Sequence, residues 1–217
     1  MKIMIAQPNL GQISTENVST LLKWFGSERY ELEWYAPART RPHDRARNRC
    51  HKHFLESDCD YMFWLDAHTC PPANTLDRLL YHDKDMVAAC VQTIKSTDKG
   101  HILAPLGFRW REDLSGYAPC YSACLTQVHI APCAATLIKR EVMEAVKRPA
   151  FSWGDIRDEW GIEGLSEDFF FAERVREAGF EIWMDYDLLC SHWQRIDVAV
   201  INQMLHRVAK EVKACQR

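Results

Sequence analysis

The chain reads as an α/β domain with a mainly parallel central sheet and helices on both faces, and three features predict it. Short apolar runs of strand length alternate with amphipathic helical segments from the start of the chain to Val91. Tyr61-Met62-Phe63-Trp64-Leu65 is continuously apolar, as expected of a strand covered on both faces. The alternation then resumes in the last third of the chain, which favours layered α/β architecture over segregated α and β regions.

Each element has its own local signal. Ile3 to Ala6 predicts a first strand, closed by Gln7-Pro8-Asn9. Ser14 or Thr15 is placed to cap a helix whose Val18, Leu21, Leu22 and Phe25 fall at helical spacing, with Gly26 as its stop. Leu32 to Tyr35 predicts a second strand, and a helix from about Asp44 to Leu55 puts Ala46, Cys50 and Phe54 on one face. After Pro71-Pro72 a helix carries Leu76, Leu79 and Leu80 inward, and Met86 to Val91 forms another strand.

The middle, from about Gln92 to Gln127, is less regular, with weak strand signals at Ile102 to Phe108 and Leu125 to Ile130. Farther on come a helix from about Lys139 to Val146, a Trp- and Gly-rich loop from Pro149 to Leu165, and a helix from Glu167 to Ala178 stopped by Gly179. A strand at Glu181 to Met184 follows. Val198, Ile201, Leu205, Val208 and Val212 recur at alternating three and four residues on a final helix at about 196–214, and the stripe is expected in the core. Without a repeat, a low-complexity tract or a linker, residues 1–217 are expected to form one domain.

Composition narrows the function classes. With 217 residues, 47% apolar and 26% charged, the chain is long enough to bury a core without a metal or disulfide, so any metal is expected to serve function. A formal charge of −3 gives no overall pull toward nucleic acid or acidic membrane. Nine cysteines, an odd number, and no stretch resembling a secretion signal predict free thiols in the cytoplasm. No window approaches the roughly 20 apolar residues that span a bilayer.

Three places carry chemistry. Leu65-Asp66-Ala67-His68-Thr69 sets a carboxylate and an imidazole two residues apart where a buried strand ends, and in extended backbone both would point into one cleft. A strand-end Asp capping the next turn beside a surface His explains the same residues. Glu167 and Asp168 follow Ser166 at the start of a helix, where the dipole alone also favours acids. His192, after Leu188-Leu189-Cys190-Ser191, puts another imidazole at a strand exit.

Taken together, these motifs resemble a glycosyltransferase of the GT-A fold, in particular the large family 2 group of nucleotide-sugar enzymes. In that group a strand ends in Asp-x-Asp or a variant followed by Pro-Pro, similar to Asp66-Ala67-His68-Thr69-Cys70-Pro71-Pro72. Ala135-Thr136-Leu137-Ile138-Lys139-Arg140-Glu141-Val142 matches its strand and basic helix start. Glu167-Asp168 through Arg174 to Ala178-Gly179-Phe180 matches its acidic pair and helix end, and His192 its terminal His. The resemblance covers about Met1 to Arg195.

The resemblance implies roles. Asp66, His68 and His192 would hold Mn²⁺ or Mg²⁺, with imidazole ligands favouring Mn²⁺. The ion would stabilise the departing nucleoside diphosphate of a nucleotide-diphospho-sugar donor. Asp168, with Glu167 next, is the implied base for the acceptor hydroxyl, which fits inversion, although Asp-x-His variants among retaining relatives leave stereochemistry open. Pro8, Asn9, Arg45, Asn48 and Asp66 are expected along the donor cleft. The acid that often reads uracil after the second strand has no counterpart in Trp34-Tyr35-Ala36-Pro37-Ala38. The acceptor, whether glycan, lipid-linked glycan, protein or modified DNA base, is not specified.

Other readings use other residues. Five arginines between Arg39 and Arg49, with Phe108-Arg109-Trp110-Arg111, are material for a nucleic-acid-binding module or a sugar transferase acting on DNA bases. A nucleotide-sugar hydrolase would share the donor chemistry but ignore acceptors. Cys50, His51, His53 and Cys59, or Cys120, Cys124 and Cys133, raise zinc, without the paired spacing of a structural site.

Overall fold

The computed structural model describes residues 1–98, 100–153 and 166–215. β1 (Lys2–Ala6) leads through α1 (Thr15–Phe25) to β2 (Glu31–Tyr35), and α2 (His43–Glu56) leads to β3 (Tyr61–Leu65). A short β4 (Thr69–Cys70) and α3 (Thr75–Tyr81) precede β5 (Met86–Cys90). Two hairpins follow, β6 (Gln92–Thr97) with β7 (Gly100–Pro105) and β8 (Phe108–Arg111) with β9 (Gly116–Pro119), then β10 (Leu125–Val128). The remainder is β11 (Ala135–Lys139), α4 (Arg140–Ala145), α5 (Glu167–Glu177), β12 (Ile182–Leu189), β13 (Ser191–His192) and α6 (Val198–Cys215).

The central sheet has the order β10-β12-β5-β11-β3-β1-β2. β1 pairs parallel with β2 and β3, and β5 with β12, while β11 runs antiparallel to both β3 and β5 and β10 antiparallel to β12. The sheet is therefore mostly parallel in strand direction, with two reversed strands, one of them at its centre.

Alternation along the strands divides the core in two. Met4, Ala6, Met62, Trp64, Met86 and Ala88 pack with Cys50, Phe54, Val142, Phe171 and Val175 from α2, α4 and α5. Ile3, Ile5, Phe63, Leu65, Val87 and Ala89 pack with Leu21, Trp24, Leu76 and Leu79 from α1 and α3. Successive side chains on a strand face opposite ways, so a strand apolar at every position must be covered twice. The strand Tyr61–Leu65 and the inward residues of α2 and α3 stand where the sequence places them.

Four expectations need correction. On α1 the buried face is Asn17, Leu21 and Trp24, while Val18, Leu22 and Phe25 are exposed. Asn17 can be buried because its amide is fully engaged. It accepts from Gln7 Nε2 at 2.9 Å and donates to the carbonyls of Asp66 at 3.1 Å and Thr69 at 2.7 Å. The irregular middle is two β-hairpins and an edge strand. Asp66 to Thr69 is a turn rather than extended chain, closed by Thr69 N–H donating to Asp66 O at 3.1 Å.

The fourth correction concerns α6. Val198, Ile201, Leu205, Val208 and Val212 are 40 to 75% exposed, so the stripe lies outside the core. Among the elements, α6 contacts chiefly β7, and its less exposed residues are Val200 and Met204 on a neighbouring face. Among the described residues no helix is long and apolar enough to cross a membrane. The Trp-rich loop, Trp160 included, lies outside the described residues from 154 to 165; Trp153 is exposed.

Candidate active site

The site opens beyond the carboxyl ends of β1 and β3, where ligands sit in such sheets. A hollow of about 460 Å³ is lined there by Pro8, Asn9, Ser14, His43, Asp66 and His68, among others. Asn9 shapes its rim by accepting from Gly11 N–H at 2.8 Å. The floor is held by Asn17, whose two bonds to the Asp66 and Thr69 carbonyls fix the turn carrying Asp66 and His68.

β13 brings in the distant histidine. It pairs antiparallel with β4, with His192 opposite Thr69, and Trp193 N–H donates to His68 O at 3.0 Å. The rings of His68 and His192 lie 4.8 Å apart, tilted by 44°. His192 Nδ1 is 2.8 Å from the carbonyl of Gln92. A carbonyl only accepts, so Nδ1 carries a proton, which in the neutral tautomer leaves the lone pair on Nε2. Burial, reinforced by His192, His43 and Arg47, lowers the His68 pKa despite the pull of Asp66, which keeps the ring neutral.

The other wall is the start of α5. Ser166 takes the N-cap conformation without a side-chain capping bond. Glu167 Oε1 lies 2.9 Å from His43 Nδ1 and 3.4 Å from Arg47 Nε. Burial pushes the Glu167 pKa up, and the His43 bond with the Arg47 charge outweighs it, leaving it lowered. Asp168 behaves oppositely. Burial raises its pKa, helped by Glu167 and Asp66 and opposed by Arg47. Its Oδ1 is buried without a hydrogen-bond partner, and Oδ2 accepts from Cys133 N–H at 3.4 Å.

Arg47 joins the two walls, and sequence reasoning passed over it in favour of Arg45. Its guanidinium is buried, with Nη2 3.4 Å from Asp66 Oδ1 and Nε 3.4 Å from Glu167 Oε1 and 3.3 Å from Asp168 Oδ1. Nη1 donates to Cys133 O at 3.1 Å, and the group lies over Trp64, 5.2 Å from the ring centre. Burial opposes the charge, but Asp168 and Asp66 outweigh it and hold the cation protonated.

The remaining predicted residues are placed as follows. Arg45 is exposed on α2. Asn48 turns away from the hollow: its Nδ2 donates to Phe151 O at 2.7 Å and its Oδ1 accepts from Phe151 N–H at 3.1 Å. Its amide is spent on anchoring the chain after α4, which sets it apart from the hollow.

Asp66 and His68 line the hollow and the His192 ring lies against His68, but the ligand atoms of the three do not gather within 4.8 Å of one another, and Asp66 Oδ1 faces Arg47. Among the described residues the one group bringing three metal-ligating atoms within 4.8 Å of one another is Glu33, Asp58 and Cys59, which Lys2 neutralises through Asp58 and Glu33. The donor types at positions 66, 68 and 192 nonetheless suit a divalent cation: a carboxylate, an imidazole kept neutral by burial, and an imidazole with a free Nε2. Neither cysteine group gathers as a zinc site among the described residues, and the cysteines from Cys50 to Cys190 are free thiols.

The basic cluster dissolves as a unit, because Arg47 is interior and Arg49 bonds Thr40. In the aromatic-basic segment Phe108 is buried, Arg109 donates to Gln127 O and Arg111 pairs with Asp113 at 2.6 Å.

No protein-family model matches the chain, and no curated protein matches it. Among solved structures, A197 from STIV is similar with a TM-score of 0.58 and 19% identity, over 90% of this chain and 87% of that one. GalNAc-T7 with UDP, GalNAc and Mn²⁺ is similar with a TM-score of 0.53 and 11% identity, over 90% of this chain and 43% of that one. At these identities the likeness shows the fold alone, a mixed α/β fold around a mostly parallel central sheet.

Proposed function

We propose that the protein is a metal-dependent glycosyltransferase that moves a sugar from a nucleotide-diphospho-sugar to an acceptor hydroxyl. The observation that carries this reading is a buried cation, Arg47, joining the Asp66 wall to the Glu167 and Asp168 wall within one cleft. Asp66, His68 and His192 would hold Mn²⁺ or Mg²⁺. When bound, that ion supplies Lewis-acid stabilisation of charge on the diphosphate.

The acceptor oxygen attacks the anomeric carbon, the bond from that carbon to the β-phosphate oxygen breaks, and its electron pair leaves with the nucleoside diphosphate. Asp168 takes the acceptor proton. Its raised pKa makes it a stronger base than an ordinary carboxylate, and its Oδ1, ion-paired with Arg47 but without a hydrogen bond, keeps capacity to accept a proton. Arg47 holds Asp168 and Glu167 in place and keeps like charges from repelling. Attack assisted by Asp168 corresponds to inversion at the anomeric carbon. The raised basicity also suits activation of water, the hydrolase variant, which acceptor dependence separates.

A thermal-shift screen of nucleoside diphosphates and their sugars, with and without Mn²⁺, tests the reading. Stabilisation requiring nucleotide and metal together is expected. A screen in which no nucleotide stabilises the protein with or without metal would refute it.

A further inference from the structure

A second hollow of about 300 Å³ lies on the Asp168 side of the site and shares no lining residue with the first. Its walls are Phe108, Phe169, Leu106, Ile130 and Pro132, and its polar side chains are Lys95, Ser166 and Asp168. Phe108 and Phe169 pack with ring centres 4.9 Å apart. Lys95, half-buried on β6, holds Nζ 4.5 Å from the centre of the Phe108 ring and has no carboxylate partner among the described residues. The hollow thus presents a proton acceptor, a cation held only against an aromatic ring among the described residues, and an otherwise apolar surface.

That combination selects among acceptors. A polyhydroxylated sugar seated there would leave most of its hydroxyls unpaired against Phe108, Phe169, Ile130 and Pro132, and each unpaired group weakens binding. A flat apolar body loses nothing by the same burial and gains from contact with the aromatic rings. The volume suits one ring with substituents, since a cavity of about 150 Å³ already holds benzene. An anion on that ring would satisfy Lys95, which has no counter-charge among the described residues and sits in a partly desolvated place.

The geometry points to an acceptor whose hydroxyl hangs from a single aromatic ring, directly or through one carbon, and whose ring also bears an anionic group, with Lys95 as its specificity-determining residue. The inference rests on the transferase reading for the fate of the hydroxyl, whose proton passes to Asp168 as its oxygen bonds to the sugar. Binding of the ring can be measured without it.

Ligand-observed NMR and calorimetry on the full chain without donor would compare 4-(hydroxymethyl)benzoate, uncharged benzyl alcohol and methyl glucoside. The expected order is carboxylate, then benzyl alcohol, then methyl glucoside. Lys95→Met, or Lys95→Gln should the first fold poorly, is expected to remove a preference of roughly tenfold for the carboxylate over benzyl alcohol. Lys95→Arg is expected to keep it.

Equal or tighter binding of methyl glucoside, a carboxylate preference that survives loss of the Lys95 charge, or no binding by any probe would each overturn the assignment. Absence of nucleotide- and metal-dependent stabilisation, with the ring preference intact, would strike the transferase reading and support the hollow's selectivity.

Discussion

Arg47 Nε lies 3.3 Å from Asp168 Oδ1, a buried cation against the carboxylate assigned as base. The same guanidinium reaches Asp66 and Glu167, so it is the common counter-charge of three acids brought from β3 and α5. Arg47→Met is expected to destabilise the fold by about 3–5 kcal/mol, the usual cost of breaking a buried ionic network from one side. Chemical denaturation measures it. A loss under about 1 kcal/mol would mean that the acids are solvated rather than held.

Asp168 has a raised pKa because burial disfavours its ionised form. As a base it must be unprotonated, so transfer should fall as pH drops through a value above the ordinary carboxylate range. Asp168→Asn should abolish transfer while leaving stability equal or higher, because a poorly solvated charge is removed. A pH–rate profile together with a melting curve checks both. Full turnover in the variant would move the base elsewhere.

His192 donates from Nδ1 to Gln92 O, which leaves Nε2 for a ligand. His192→Ala should erase any stabilisation by Mn²⁺ with nucleotide while changing the melting temperature of the free protein little. The readout is the difference between thermal shifts with and without metal. An undiminished shift would remove His192 from the metal set.

His51 is buried on α2, its Nε2 donating to Met143 O at 2.8 Å, and burial lowers its pKa from 6.5. The unfolded chain binds a proton near the ordinary value and the folded chain resists it. Stability should therefore be full above pH 6.5 and decline as pH falls below it. His51→Gln should flatten that slope between pH 7 and 5 in urea titrations. An unchanged slope would assign the acid sensitivity to other groups.

The exposed α6 stripe makes a different prediction. Leu205→Glu or Val208→Glu should alter the unfolding midpoint of the isolated chain by no more than about 0.5 kcal/mol in stability, the range of surface substitutions. A loss of several kcal/mol would show these side chains to be covered in solution.

Much of the site was readable because its signals are local. The apolar run ending in Asp66, the acids behind Ser166 and the His after Cys190 each mark the end of an element, and strand ends are where α/β sheets keep their ligands. Arg47 escaped notice for a physical reason. It lies three residues before Cys50 and seven before Phe54, on the buried face of α2, yet arginine is almost never buried unless paired. Its partners come from β3 and α5, and no local pattern announces them. Helical spacing was the available signal, outweighed by charge.

Strand direction was equally hidden. Ala135–Lys139 has the apolar character of its neighbours but runs against β3 and β5, and periodicity carries no sense of direction. The α6 stripe shows the converse limit, since spacing identifies an apolar face without saying whether anything lies against it.

The ladder between β4 and β13 has a bearing on synthesis. A nascent chain released from the ribosome only as far as α5 already contains Asp66, His68, Arg47 and Asp168, yet the imidazole that sits beside His68 is still untranslated or waiting in the exit tunnel. On the proposed chemistry a half-made protein would grip its donor poorly. Nucleotide affinity would then report whether translation had reached the closing strand.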